Sequence, residues 1–413
     1  MLGKNNAPGD PYGPIGKRKG KWRYNMAQDV TYNQIVAGRP EARKPSVWSA
    51  LPSWEKSWPG LLATAIIAIM CGLPGVDFPF TVDSLLRYFD SVLPPIYGKG
   101  LFVDLLHFNY VVTCLVAGIV IRNVIGVPKS WEPGLTYSGC FMNVGIIMLG
   151  SQYVLRDLVK LGAVSIIIMV FMVFGGALIF TFMGRHFKMG DAMTGLLAAA
   201  FSMCGVSACI AIAPMVRAKS EEVAYAMAVS VTFGLCCLFA LPFVGNLLSM
   251  SNESFGLLAA AGVPNSNQVI ATGFNFSFEA GKVAGFSNIG RLVLIPAGVL
   301  FIYFMTLGKE LRTATVSYWQ VIQEKFPLFV FGFAFVWILN CVQAWPVPAS
   351  EAMGNVMNWF FSLCFVGLGL TTKLADLKKA GPKGIVIGYT AGSLRIGMCL
   401  ILLFIVIKMG YFK

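Results

Sequence analysis

Nine long apolar runs organise the chain, near residues 58–74, 107–125, 136–152, 161–184, 222–248, 283–307, 326–343, 355–371 and 384–408. Each is close to the ~20 residues that a helix needs to cross the hydrocarbon core. Two further segments, 191–214 and 254–274, are apolar but interrupted by Gly, Pro, Ser and Asn. Counting both as crossings predicts an all-α polytopic membrane protein with about eleven transmembrane helices. An odd number places the two termini on opposite sides. Between the first two runs, VDSLLRYFDSVL (82–93) sets Leu85, Leu86, Phe89, Val92 and Leu93 on one helical face. That pattern predicts an amphipathic helix lying in the outer interface, within an outside loop over 75–106.

Composition agrees with the pattern. Of 413 residues, 56% are hydrophobic and 12% are Asp, Glu, Lys or Arg, against about 25% charged in a soluble domain. So few charges could not cover a water-soluble core of this size, which excludes a cytosolic enzyme, a secreted disulfide scaffold and a disordered regulator. The net charge of +13 is uneven. Residues 1–57 form a basic extension that includes Lys17, Arg18, Lys19, Lys21 and Arg23, and the transmembrane domain follows over 58–413. Basic loops at Lys129, at Arg185, His186 and Lys188, at Lys309, Arg312 and Lys325, and at Lys373, Lys378, Lys379 and Lys383 share one side. The loop 75–106 carries Asp77, Asp83, Asp90 and Asp104 against Arg87 and Lys99. The positive-inside rule then predicts a bacterial inner-membrane protein with a cytoplasmic N-terminus and an outside C-terminus. Nothing builds a nucleic-acid recognition module around the basic extension.

The ten cysteines include no Cys-x-x-Cys pair and only two histidines accompany them, so no metal or redox centre is expected. No phosphate-binding glycine loop, dinucleotide fingerprint, nucleophile elbow or zinc-protease pair appears, and neither an enzyme nor a cofactor is expected.

An internal repeat adds topology. LGSQYVLRDLVKLG (149–162) aligns with LGLTTKLADLKKAG (368–381) at a constant offset of 219, with seven of fourteen positions identical. Asn123 and Asn340 form a smaller echo, each near the end of the preceding span. The predicted topology puts the two copies, within 108–184 and 326–408, in opposite orientations, the mark of inverted-repeat transporters.

The interrupted segments are where chemistry could reside. A helix end leaves backbone N–H or C=O groups unpaired, and in hydrocarbon these are tolerated only in protein or beside a water-filled cavity. The first break holds Ser202, Cys204, Gly205 and Ser207; the second holds Pro264, Asn265, Ser266, Asn267 and Gln268. The competing readings are a small-residue packing face for the first and an ordinary exposed loop for the second. None of the nineteen carboxylates falls at the centre of a predicted helix, whereas Arg291 and Arg395 fall well inside 283–307 and 384–408. Buried cations beside helix N-termini favour an anion over a cation, unless each guanidinium snorkels or binds the carbonyls of a broken helix.

CGVSACIAIAP (204–214), followed by Glu221, Glu222, VAYAMAVSVTFG and Leu241-Pro242, resembles the YeiH family, which is labelled as sulfate exporters. FEAGKVAGFSNIGRLVLIPAGVL (278–300) and GLGLTTKLADLKKAG (367–381) resemble two further blocks of that family in the same order. The resemblance implies kinship with bile-acid and sodium/proton carriers, two inverted repeats, a scaffold domain and a core domain with two broken crossing helices. It also implies elevator-type alternating access. Where that family usually reads His-Glu-Val-Ala-Gln, this chain has Pro264, Asn265, Ser266, Asn267 and Gln268, and only Gln268 matches.

These readings combine into one expectation: a secondary transporter or exporter of a small anion such as sulfate, sulfite or a sulfonate. Its substrate would touch Ser202, Cys204, Gly205, Ser207, Asn265, Ser266, Asn267 and Gln268, with Arg291 or Arg395 supplying charge. A homodimer in the lipid bilayer is expected, and the coupling ion, Na+ or H+, is not legible. The alternative is an accessory membrane subunit without autonomous transport, joined to a partner subunit through residues 1–57.

Overall fold

The structure is a computed structural model, and it describes residues 52–72, 81–92, 109–153, 155–306, 327–342, 345–373 and 382–410. Most of the basic extension, much of the loop 75–106 and the second repeat motif beyond Lys373 lie outside the described residues. Every regular element among the described residues is helical. In order they are α1 (Trp54–Cys71), α2 (Val82–Val92), α3 (Tyr110–Val120), α4 (Glu132–Leu135), α5 (Ser138–Leu149), α6 (Leu155–His186), α7 (Asp191–Ser202) and α8 (Val206–Ile212). They continue as α9 (Ser220–Leu247), α10 (Asn252–Gly262), α11 (Ser266–Phe276), α12 (Phe278–Val293), α13 (Ile295–Thr306), α14 (Phe329–Cys341), α15 (Val347–Thr371) and α16 (Pro382–Lys408).

By length and apolarity, four helices can each cross a membrane: Val164–His186, Ser220–Leu247, Ala349–Thr371 and Gly384–Lys408. A fifth crossing is available if α12 and α13 count as one. The expected single helix over 283–307 is corrected here, because α12 and α13 meet at a bend of 54°. Pro296 supplies the reason: it has no N–H to give, and its ring crowds the carbonyl four residues back. Shorter apolar helices, Tyr110–Ile125 and Phe329–Cys341, accompany these spans.

Buried side chains gather in two clusters. One joins α6 to α10, α12, α13 and α16 through residues such as Met172, Phe180, Phe201, Phe255 and Leu258. The other joins α1, α3, α5, α14 and α15 through Leu115, Ile146, Phe333, Phe361 and Phe365, with Leu238 and Phe274 added from α9 and α11. In the second cluster α3 and α15 touch backbone to backbone. A Cβ on Gly118 would strike the Val366 carbonyl, and one on Gly369 would strike the Leu115 carbonyl.

Two hydrogen bonds link the segments that carry the repeat. Asn123 Nδ2 donates to the Thr372 carbonyl at 3.0 Å, and Asn340 Nδ2 donates to the Tyr153 carbonyl at 3.0 Å. The two acceptors are 219 residues apart, the offset of the sequence repeat. Each asparagine of the echo therefore holds a carbonyl in the motif that follows the other asparagine.

Candidate functional site

Both interrupted segments form broken helices, and they meet inside the first cluster. In the first, α7 ends at Ser202 and α8 begins at Val206, with Gly205 at φ +70° between them. That backbone angle suits glycine and strains any residue with a Cβ. In the second, α10 ends at Gly262 and α11 begins at Ser266, separated by Val263 and Asn265 in extended conformations. The two breaks touch, because a Cβ on Gly205 would collide with the Asn265 side chain.

Side chains carry the polar contacts across this crossing. Asn265 Oδ1 accepts the Val206 N–H at 3.3 Å, while Asn265 Nδ2 donates to Gln268 Oε1 at 2.9 Å. Gln268 Nε2 in turn donates to the Val231 carbonyl of α9 at 2.8 Å. Gly234, one turn along α9, leaves the space that the Gln268 amide occupies. Ser266 Oγ donates to Asn288 Oδ1 at 3.2 Å.

Arg291 and Arg395 are both completely buried. Arg291 Nη1 donates to the carbonyls of Ala260 and Val263 at 2.9 and 2.6 Å, and its Nη2 donates to Asn288 Oδ1 at 2.8 Å. Arg395 reaches the Gly262 carbonyl at 3.4 Å and the Ser202 carbonyl at 3.5 Å. Both guanidinium groups thus converge on the C-terminal end of α10, and Arg395 extends to that of α7. These are the ends where a helix dipole is negative and carbonyls are unpaired. Gly176 of α6 makes room for Arg395, since a Cβ there would come within 3.0 Å of its Nε.

The consequence is electrostatic. Buried cations offset the two negative helix ends, while the positive N-terminal ends of α8 and α11 lie at the same crossing. Neither N-terminus is capped by a side chain of its own first residues. Among the described residues, no Asp or Glu is buried, and no cluster of His, Cys, Asp and Glu could hold a metal ion. The arrangement suits an anion better than a cation.

Of the expected site residues, Ser202, Cys204, Gly205, Asn265, Gln268, Arg291 and Arg395 are buried at or beside the crossing. Ser266 and Asn267 are half-buried and Ser207 is exposed, so the N-terminal turns of α8 and α11 form its accessible side. Sequence reasoning missed Asn288, which ties Ser266 to Arg291. Its place three residues before Arg291 puts it on the same helical face, and that spacing was the available signal.

A family model described as conserved hypothetical protein 698 matches residues 59–388. A UPF0324 membrane protein of Nitratidesulfovibrio vulgaris (strain Hildenborough) is 38% identical over 379 residues, covering 91% of this chain and 98% of its own. The chain belongs to this family. The UPF0324 inner membrane protein YeiH of Escherichia coli K12 is 26% identical over 317 residues, covering 75% of this chain and 87% of its own. A Corynebacterium glutamicum member is 28% identical over 284 residues, covering 68% and 81%. The family confirms the resemblance read from the signature blocks, and membership makes the chain a membrane protein. Both breaks and Arg291 fall within the matched range, and Arg395 lies seven residues past its end.

Proposed function

We propose that this protein is a secondary transporter or exporter of a small inorganic or organic anion, of the size of sulfate, sulfite or a sulfonate. The observation that carries the reading is the crossing itself: two fully buried guanidinium groups and two helix N-termini, with no buried carboxylate among the described residues. A permanent positive charge at that depth costs several kcal/mol unless it serves a partner or a ligand. The helix-end carbonyls satisfy part of that demand and an anion on the N-terminal side satisfies the rest. Transport involves no covalent step.

About eleven crossings, counting the short and broken helices, would give the inverted repeats of an alternating-access carrier. The reciprocal Asn123 and Asn340 bonds support that symmetry. Two separate buried clusters are compatible with elevator-type motion of one bundle against the other. The test is flux into proteoliposomes holding the purified chain, with labelled sulfate, sulfite and a short alkyl sulfonate on one side. Saturable uptake of at least one, accelerated by unlabelled anion on the far side, is the expected result. Folded protein that moves none of them would sink the reading.

A further inference from the structure

Asn265 occupies the N-cap position of α11. An Asn there ordinarily turns its side chain onto the N–H groups of the helix it precedes. This one does not: no side chain caps the first turn of α11, and Asn265 Oδ1 instead accepts the Val206 N–H of the other broken helix at 3.3 Å. The diversion is built in from both sides. Gly205 leaves the space that Oδ1 enters, and Gln268, anchored on the Val231 carbonyl, takes up Asn265 Nδ2. The cap of α11 is given to α8, and the first N–H groups of α11 stay without an acceptor.

An independent observation points to a ligand at that end. Asn288 is completely buried, and its Oδ1 accepts from both Ser266 Oγ and Arg291 Nη2. Those two donors fix Nδ2 as the remaining donor, and Nδ2 has no partner. A free amide donor therefore sits beside the first residue of an uncapped helix, with the Arg291 guanidinium on the same amide.

We propose that Asn265 is a positioning residue: its side chain caps α8 across the crossing, holds the two breaks in register, and leaves the first turn of α11, with Asn288 Nδ2, as the point where the anion binds. The proposal rests on the anion reading of the crossing and says which helix end is used.

The experiment takes the full chain in detergent, with sodium sulfate and sodium nitrate as probes at matched ionic strength. Thermal midpoints and amide hydrogen exchange are read with and without each probe. The expected result is a raised midpoint, with slower exchange at Ser266–Gln268 and unchanged exchange at Val206–Ala208. If neither probe nor any other small anion moves the midpoint, the anion reading falls and this proposal with it. If the midpoint moves while protection appears at Val206 and not at Ser266–Gln268, the positioning role alone is overturned. Asn265→Asp keeps the acceptor for Val206 but puts a negative charge at the anion's place. It should weaken sulfate binding by about tenfold or more, and nitrate binding by less, because the repulsion scales with ligand charge. Asn265→Ala removes the acceptor for Val206 and the register it holds, so the Val206 amide should exchange faster and sulfate and nitrate binding should both weaken severalfold. Unchanged binding beside a faster Val206 amide would overturn the positioning role. Equal losses for the two probes in Asn265→Asp would mark a structural role only and overturn the proposal; should that variant not fold, the exchange pattern of the unaltered chain still decides.

Discussion

The two breaks solve one problem, opening a helix inside a buried apolar core, by different means. The first is made by backbone. Gly205 takes φ +70°, no side chain caps α8 from within, and Ser202 Oγ has no partner. The second is made by side chains. Its backbone holds no positive φ; Arg291 takes its freed carbonyls at Ala260 and Val263, and Asn288, Ser266, Asn265 and Gln268 form the side-chain network around it. A break written in backbone geometry should be sensitive to an added Cβ, and one written in side chains to lost donors and acceptors.

The largest effect is expected at Arg291. Replacing it with Leu leaves the Ala260 and Val263 carbonyls buried without their donor, at about 1–3 kcal/mol for each orphaned group, and leaves Asn288 Oδ1 with Ser266 Oγ alone. Arg395→Leu removes longer contacts, at 3.4 and 3.5 Å, and should cost less. Thermal unfolding in detergent compares the two directly. Equal losses would mean that the second break does not depend on its guanidinium more than the first depends on its own.

Glycine substitutions sharpen the contrast from the other side. Gly205→Ala forces a Cβ into a backbone region worth about 1–3 kcal/mol of strain and drives it against Asn265. Gly262→Ala at the second break meets only the Ile396 side chain, at 3.2 Å, and helix propensity favours Ala by up to about 1 kcal/mol. Gly205→Ala should therefore lower the unfolding midpoint by several degrees while Gly262→Ala leaves it nearly unchanged. The reverse order would contradict the assignment of backbone control to the first break.

Much of this contrast was legible in the sequence, and the limits of that reading are physical. Gly205 among Ser and Cys, and the amide-rich run from Pro264 to Gln268, announced the breaks because both interrupt otherwise unbroken apolar periodicity. Arg291 and Arg395 stood out in a census of charges. Their destinations did not, since an Arg side chain reaches far enough to serve its own helix or a neighbour. The sequence left open an anion or the carbonyls of a broken helix as their partners; the structure gives their Nη groups to helix-end carbonyls, with charge felt through those ends. Ser207 and Asn265 looked alike as polar residues at breaks, yet one is exposed and the other buried, because burial depends on which helices cover a turn. The bend near Leu294 has its local signal in Pro296, which the apolar run on either side masks. The Asn123 and Asn340 echo was visible, but a pairing between distant segments has no local signature until the chain is folded.

The smallest expected effect is the most discriminating, because it uses one residue type at both breaks. Ser266 Oγ donates to Asn288 Oδ1 at 3.2 Å, so Ser266→Ala removes a bond at the second break and should cost about 1 kcal/mol. Ser202 is fully buried but its hydroxyl has no partner, and the Arg395 contact goes to its backbone carbonyl, which the substitution leaves in place. Removing an unsatisfied buried hydroxyl relieves a desolvation penalty, and Ala is the better helix former at this last position of α7. Ser202→Ala should thus be neutral or slightly stabilising. A loss at Ser202 matching that at Ser266 would mean that its hydroxyl holds a partner in the native protein, and that the first break relies on a side chain of its own besides Asn265 and Arg395.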